Sequence, residues 1–332
     1  MKVALVLTVK NEERILRDNL LYHKAMGCEK IFVYFDGTTD DGKASIADLD
    51  FVEISDSVSK EIFEEVDFLS KFTSQMEEHH TARQCLNTYD AKCKCAKEAI
   101  DWLISIDADE LVVPNIETKT DLPSFFKTIP DEIVVVNFQV QEVLQHKMAY
   151  THVFAEETLF KTTHKFTSRF ENIRKRIYNP FEKKYIPFSY WYGQHLGKAA
   201  LRVDSKIIPH NVHRYKTFDG SAFKQIEKGF VLHYHAYDFE DFVKKFTNFK
   251  KHPDTFLSGN KVESIKLLLR DVVNHPDATN ESLRSYFAEN LLFSEKEVRK
   301  LLKNNFLYFF KRSTPALVKI VVVQEVFTNL RK

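Results

Sequence analysis

Glycine is scarce in this chain of 332 residues, at 8, and cysteine is scarcer still, at 4. So little glycine excludes a glycine-rich linker, and each glycine that remains marks a real backbone requirement. Gly27, Gly37 and Gly42 all fall in the first strand-helix-strand stretch. Of Cys28, Cys85, Cys93 and Cys95, only Cys93 and Cys95 are close, inside a helical pattern. A zinc centre generally needs paired ligands at two places, so reduced structural thiols are expected. Net charge is also missing, at +1, which removes any global pull toward nucleic acid. No uninterrupted apolar run reaches about 18 residues, which argues against a spanning helix. The opening run Val3–Val9 meets Lys10 too soon for a secretory signal, and a cytoplasmic location is expected. What is present is a globular composition, 44% hydrophobic and 29% charged. It suits one large α/β domain, alone or with an appendage.

Val3–Val9 reads as a buried strand, and Asn11 offers an N-cap to a following helix, with Glu12 and Glu13 in its first turn. Ile15, Leu16, Leu20 and His23 share one helical face, and Gly27 stops the helix. Ile31–Phe35 is a second strand, closed by the turn signal Asp36-Gly37-Thr38-Thr39-Asp40-Asp41-Gly42, and Phe51–Ile54 suits a third. Strand, helix, strand over so short a stretch predicts a parallel sheet. A helical pattern over Thr81–Ile100 leads into the strand Leu103–Ile106. Further strands are expected at Ile133–Phe138, Gly197–Val203 and Phe230–His235. The fold class is therefore α/β: a Rossmann-like nucleotide-binding sheet with helices on both faces over residues 1–255. A helical C-terminal extension follows over 256–332.

The strand Leu103–Ile106 runs straight into Asp107, Asp109 and Glu110. Open α/β sheets bind ligands at that carboxyl edge. Carboxylates at i and i+2 on an extended segment share a face, so Asp107 and Asp109 can approach one hard cation together. A solvated acidic turn accounts for most isolated Asp-x-Asp triplets, so the triplet alone decides little. His213 and the pair His233-x-His235 are further ligand candidates. Between Lys165 and Lys184 seven basic side chains face only Glu171 and Glu182; the run is a solvated loop or a draw for an anion. The final stretch interleaves Phe306, Leu307, Phe309, Phe310, Leu317, Val318, Ile320–Val323 and Phe327 with lysine and arginine. Such an end either packs on the main domain or lies peripherally on an anionic inner membrane.

Thr8-Val9-Lys10-Asn11-Glu12-Glu13, Tyr22-His23-x-x-x-Gly27 and Phe35-Asp36-Gly37-Thr38-Thr39-Asp40 resemble the opening of family-2-like and family-92-like glycosyltransferases. Trp102–Leu111 resembles their Asp-x-Asp-Glu element. Gly197-Lys198-x-x-x-Arg202 with His213, and Leu232-His233-Tyr234 before an aromatic-rich helix, resemble their C-terminal signals. The resemblance spans roughly residues 3–250 and implies a GT-A fold, a nucleotide-sugar donor (a UDP-sugar) and a divalent metal, Mn²⁺ rather than Mg²⁺. It implies Asp109 and Asp107 as metal ligands, Asp107 alternatively on the ribose, with His213, His233 and His235 competing for a further position. Glu110 is a ligand or an orienter of the loop. Val9, Asn11, Glu12 and Asp36 fall to the nucleotide, with Arg83 and Gln84 beside them. Lys198 and Arg202 are candidates for phosphate or acceptor contacts, or else edge-strand cations. An inverting enzyme needs a carboxylate base; Glu142, Glu156, Glu171, Asp219 and Asp238 are all open. The expected partners are a nucleotide-sugar and a glycan or glycolipid acceptor of surface polysaccharide or lipopolysaccharide synthesis. The competing classes are a metal-dependent phosphohydrolase or nucleotidyltransferase, and a non-catalytic nucleotide-sugar-binding module.

Overall fold

Alternation along Val3–Val9 sets up the whole parallel half of the molecule. In the computed structural model, which describes residues 1–162, 181, 196–262, 264–303 and 316–331, this strand is buried on both faces. Val3, Leu5, Leu7 and Val9 join one apolar cluster, and Ala4 and Val6 join another. A strand covered on both sides must read as a continuous apolar run, as this one does.

The first half of the chain runs β1 (Val3–Val9), α1 (Glu13–Ala25), β2 (Lys30–Phe35), β3 (Val52–Asp56), the single turn α2 (Ser70–Thr73), α3 (His80–Lys97), β4 (Trp102–Ile106), β5 (Glu110–Val113), α4 (Leu122–Lys127) and β6 (Ile133–Val143). It continues as α5 (Val153–Glu156), β7 (Leu159–Lys161), β8 (Ala199–Arg202), β9 (Ile207–Asn211), β10 (Arg214–Thr217), β11 (Lys224–His233) and α6 (Phe239–Asn248). Last come α7 (Ser264–Val273), α8 (Asn280–Asn290), α9 (Glu295–Lys303), β12 (Leu317–Lys319) and α10 (Val322–Leu330). The main sheet is ordered β12-β7-β6-β8-β4-β1-β2-β3, with β11 pairing β5 and β6. Strands β4, β1, β2 and β3 are parallel neighbours; β8 runs antiparallel between β4 and β6. Helix α1 packs Ile15, Leu16 and Leu20 on one face, and α3 packs Ala82, Cys85 and Leu86 on the other. The carboxyl ends of β1, β2 and β4 therefore open at one edge.

Three expectations change here. Asn11 does not cap α1: its backbone is left-handed at φ 56, and its side-chain oxygen accepts from Thr39 N at 2.8 Å. It braces the turn after β2 instead. Arg202 is no edge cation, because β8 is central. Its guanidinium lies over the Trp102 ring at 4.7 Å and donates to Ile133 O, at the end of β8 opposite the acidic turn. The chain beyond 255 is not simply a helical extension either. Helices α6 to α9 share an apolar cluster, but β12 then pairs with β7 and α10 buries Val322, Val323, Val326 and Phe327 in the main core. Leu317, Ile320 and Phe327 are thus core residues rather than membrane-facing ones. Phe306, Leu307, Phe309 and Phe310, like the basic run from Lys165 to Lys184, lie outside the described residues. Among the described residues no helix is long and apolar enough to cross a membrane.

Candidate active site

The acidic turn between β4 and β5 is clamped through its backbone. Asn19, buried on α1, donates from Nδ2 to Ala108 O at 2.9 Å and to Glu110 O at 2.8 Å. Tyr234 N donates to Asp109 O at 2.8 Å, and Asp107 N donates to Glu110 Oε2 at 2.8 Å. His23, one helical turn from Asn19, accepts from Val112 N through Nε2 and donates from Nδ1 to Asn19 O. That pattern requires a neutral imidazole, and burial pushes its pKa down to about 4. Three carbonyls of the turn thus receive donors, so its carboxylates are presented by a fixed frame. Glu110 serves the frame rather than reaching outward, and burial raises it to about 7.

Asp107 and Asp109 leave the turn in different company. Asp107 accepts from Gln84 Nε2 at 2.6 Å and from Lys198 Nζ at 2.8 Å. Lys198 is buried and also faces Glu110 at 3.7 Å. A Cβ on Gly197 would stand 1.9 Å from Phe138 O, so only glycine lets the chain enter β8 beside β6 and deliver Lys198 here. His213 stands on this side, pushed down to about 3 by burial and by the Lys198 charge. It does not join the other two candidate histidines.

Those two join Asp109. Register across three strands sets His233 beside Glu110 of β5 and Glu142 of β6. The candidate ligand atoms of Asp109, His233 and His235 lie within 4.8 Å of one another. His233 turns Nε2 to Asp109 at 3.4 Å and Nδ1 to Glu142 at 3.7 Å, and Glu142 is ion-paired with buried Lys161 at 2.8 Å. Burial opposes charge on His233, but Asp109, Glu142 and Glu110 together outweigh it and lift the imidazole to about 10. Burial drives His235 well below its usual value, so it is a neutral donor. Lys245 of α6 also contacts Asp109 Oδ2. One carboxylate and two imidazoles, one of them backed by a second carboxylate, are a donor set suited to a divalent cation.

At the ends of β1 and β2, Asp36 accepts from Arg83 Nε at 2.6 Å and Nη2 at 2.9 Å, and pairs with His80. His80 and Arg83 sit one turn apart on α3. Despite burial, these two partners hold Asp36 well below the usual carboxylate range. Val9 gives its carbonyl to Asp36 N. Glu12, raised to about 7 chiefly by burial, receives Lys244 Nζ at 2.5 Å, and Asp241 receives the same ammonium at 2.7 Å.

The proposed bases fare poorly. Asp238 caps α6 and takes both Arg14 nitrogens. Glu142 is buried behind His233, and Asp219 is bound to Lys206 and Ser221 in a turn. Glu156 accepts the amides of Thr151 and His152, and Glu171 lies outside the described residues. The sequence reading missed Asn19, His80, Lys161, Lys244 and Lys245. The i, i+3 spacing of His80 and Arg83 was the available signal for His80; nothing in the text pairs Lys245 with a residue 136 positions earlier.

The chain has a mixed α/β sheet whose parallel strands carry this acidic turn at their carboxyl edge, where open α/β sheets bind their ligands. It belongs to glycosyltransferase family 92, whose model matches residues 7–266. The glycosyltransferase-like protein At2g41451 of Arabidopsis thaliana is 23% identical over 241 residues, 68% of this chain and 52% of that one. A second, At3g57200 of the same plant, is 22% identical over 245 residues, 73% of this chain and 46% of that one. The chain thus spans about half the length of the curated relatives it matches. Among solved structures, residues 1–349 of S. aureus TarS give a TM-score of 0.34 at 14% identity, covering 87% of this chain and 72% of that one. Glucosyl-3-phosphoglycerate synthase of Mycobacterium tuberculosis, in complex with Mn²⁺, UDP and phosphoglyceric acid, gives 0.28 at 14% identity, covering 61% of this chain and 56% of that one. These structural likenesses are distant; membership of the family rests on the sequence match.

Proposed function

We propose that this chain transfers a sugar from a UDP-sugar to a glycan or glycolipid acceptor, with a divalent cation held by Asp109, His233 and His235. The convergence of those three side chains at the carboxyl edge of the sheet carries the reading. When bound, the cation supplies Lewis-acid stabilisation of the departing diphosphate. Two imidazoles in the donor set favour Mn²⁺ over Mg²⁺. Glu142 orients His233 from behind. Lys198 holds Asp107 toward the ribose or the cation, and Asn19 fixes the turn that carries both carboxylates. Asp36 orients Arg83 at the end of β2, where the base and ribose would lie between Val9, Asn11, Glu12 and α3.

Thermal unfolding with UDP, with and without Mn²⁺, tests the reading. A ligand at 100 times its dissociation constant adds about 2.7 kcal/mol of apparent stability. Stabilisation that needs both ligands and vanishes in Asp109→Ala supports it. Equal stabilisation of that variant would remove Asp109 from the site, and no response to UDP would remove the donor class. Slow UDP-sugar hydrolysis without acceptor is expected; fast hydrolysis favours a phosphohydrolase.

A further inference from the structure

Two ammonium groups meet the acidic turn, and they are not equivalent. Lys198 is 1% exposed and lies between two carboxylates, Asp107 and Glu110. Lys245 is 30% exposed and contacts Asp109 alone among the ion pairs of the described residues. Nothing but the side chain of Lys245 has to move for that contact to open. The rest of α6 is pinned independently: Lys244 by Glu12, the capping Asp238 by Arg14, and Asn248 by Asn11. Asp109 is also the one anionic member of the Asp109–His233–His235 donor set.

We infer that the Lys245 ammonium competes with the divalent cation for Asp109, acting as a built-in counter-ion that metal must displace. The inference rests on the metal reading given above and adds to it a residue that sets metal affinity. An ammonium already seated on the Asp109 oxygen, which the His233 imidazole also reaches, repels an arriving divalent cation, and more strongly in a poorly solvated site than in water. An anionic diphosphate arriving beside the cation offers the displaced ammonium a new partner, so donor and metal binding become coupled through Lys245, and reciprocally so.

The test is direct titration of Mn²⁺ into the full chain by calorimetry, with and without UDP, for wild type, Lys245→Met and Lys245→Arg. Thermal unfolding checks that each variant is folded. Without UDP, Lys245→Met should bind Mn²⁺ about tenfold more tightly or better, because the competing charge is gone. Lys245→Arg, which keeps the charge, should stay near wild type. UDP should tighten Mn²⁺ binding less in Lys245→Met than in wild type. If wild type binds Mn²⁺ and Lys245→Met binds it no better, the competition is refuted and the metal site stands. If Met and Arg tighten binding alike, charge is not the cause and the inference fails. If neither wild type nor Lys245→Met binds Mn²⁺ with or without UDP, the metal reading falls, and the inference with it.

Discussion

Asp36 and Asp109 lie at the same sheet edge, and both face cationic partners, yet the two pockets are built differently. The partners of Asp36 are Arg83 and His80, one turn apart on a single helix, with the guanidinium gripping both carboxylate oxygens. A bidentate pair on a rigid helix is a permanent fixture. The partners of Asp109 come from β11, the segment after it and α6, and comprise two imidazoles and one flexible, partly exposed lysine. In the function proposed above, that pocket exchanges its cation: one carboxylate anchors the nucleotide edge and the other binds the metal.

The strongest way to break this contrast is Asp109→Ala. Transfer should fall by about 10³-fold, since the departing diphosphate loses its cation, while the fold survives because the turn is held through its backbone. Residual transfer near wild type in a steady-state assay would make the two pockets alike.

Protonation sharpens the picture of that backbone frame. His23 is held neutral, down to about 4 from 6.5, so the unfolded chain binds its proton first as pH falls. Stability contributed by His23 is complete above about pH 6.5 and is lost as pH drops toward 4, by about 3 kcal/mol in order of magnitude. Urea unfolding at pH 7 and pH 4.5, for wild type and His23→Gln, should show a smaller pH dependence in the variant. An equal dependence would take His23 out of the frame.

Asp36→Asn keeps the shape but loses the charge that orients Arg83. The donor KM should rise about tenfold with little change in kcat, because an anchor acts on binding. A fall in kcat at unchanged KM would place Asp36 in the chemistry instead. The smallest effect should come from Arg202→Met, at the far end of β8. Stability is expected to drop by about 1 kcal/mol through the lost contact with Trp102, with donor KM unchanged.

The parallel half of the fold was legible because its strands are buried on both faces and its connections are local. The acidic turn was legible for the same reason, as carboxylates abruptly ending an apolar run. His233 and His235 were visible as a pair, but their meeting with Asp109 depends on β11 pairing with β5, a contact no periodicity marks. Asn11 looked like a cap because cap and brace use the same side chain; its left-handed backbone, set by the Thr39 contact, decides between them. Arg202 stood open as a phosphate or acceptor contact or an edge cation because a strand's neighbours are not written in its own residues. Lys244 and Lys245 carry no mark of their own in the sequence, and only the fold shows which carboxylates they meet.

The central claim is that Asp109, His233 and His235 share one divalent cation beside the donor. A crystal structure of the chain with Mn²⁺ and UDP, phased to show the anomalous signal of manganese, tests it most directly. The account predicts one peak within coordination distance of an Asp109 oxygen and of a nitrogen from each histidine, next to the diphosphate. A peak held by Asp107 and His213 with His233 and His235 uninvolved, or UDP bound with no peak at all, would contradict it.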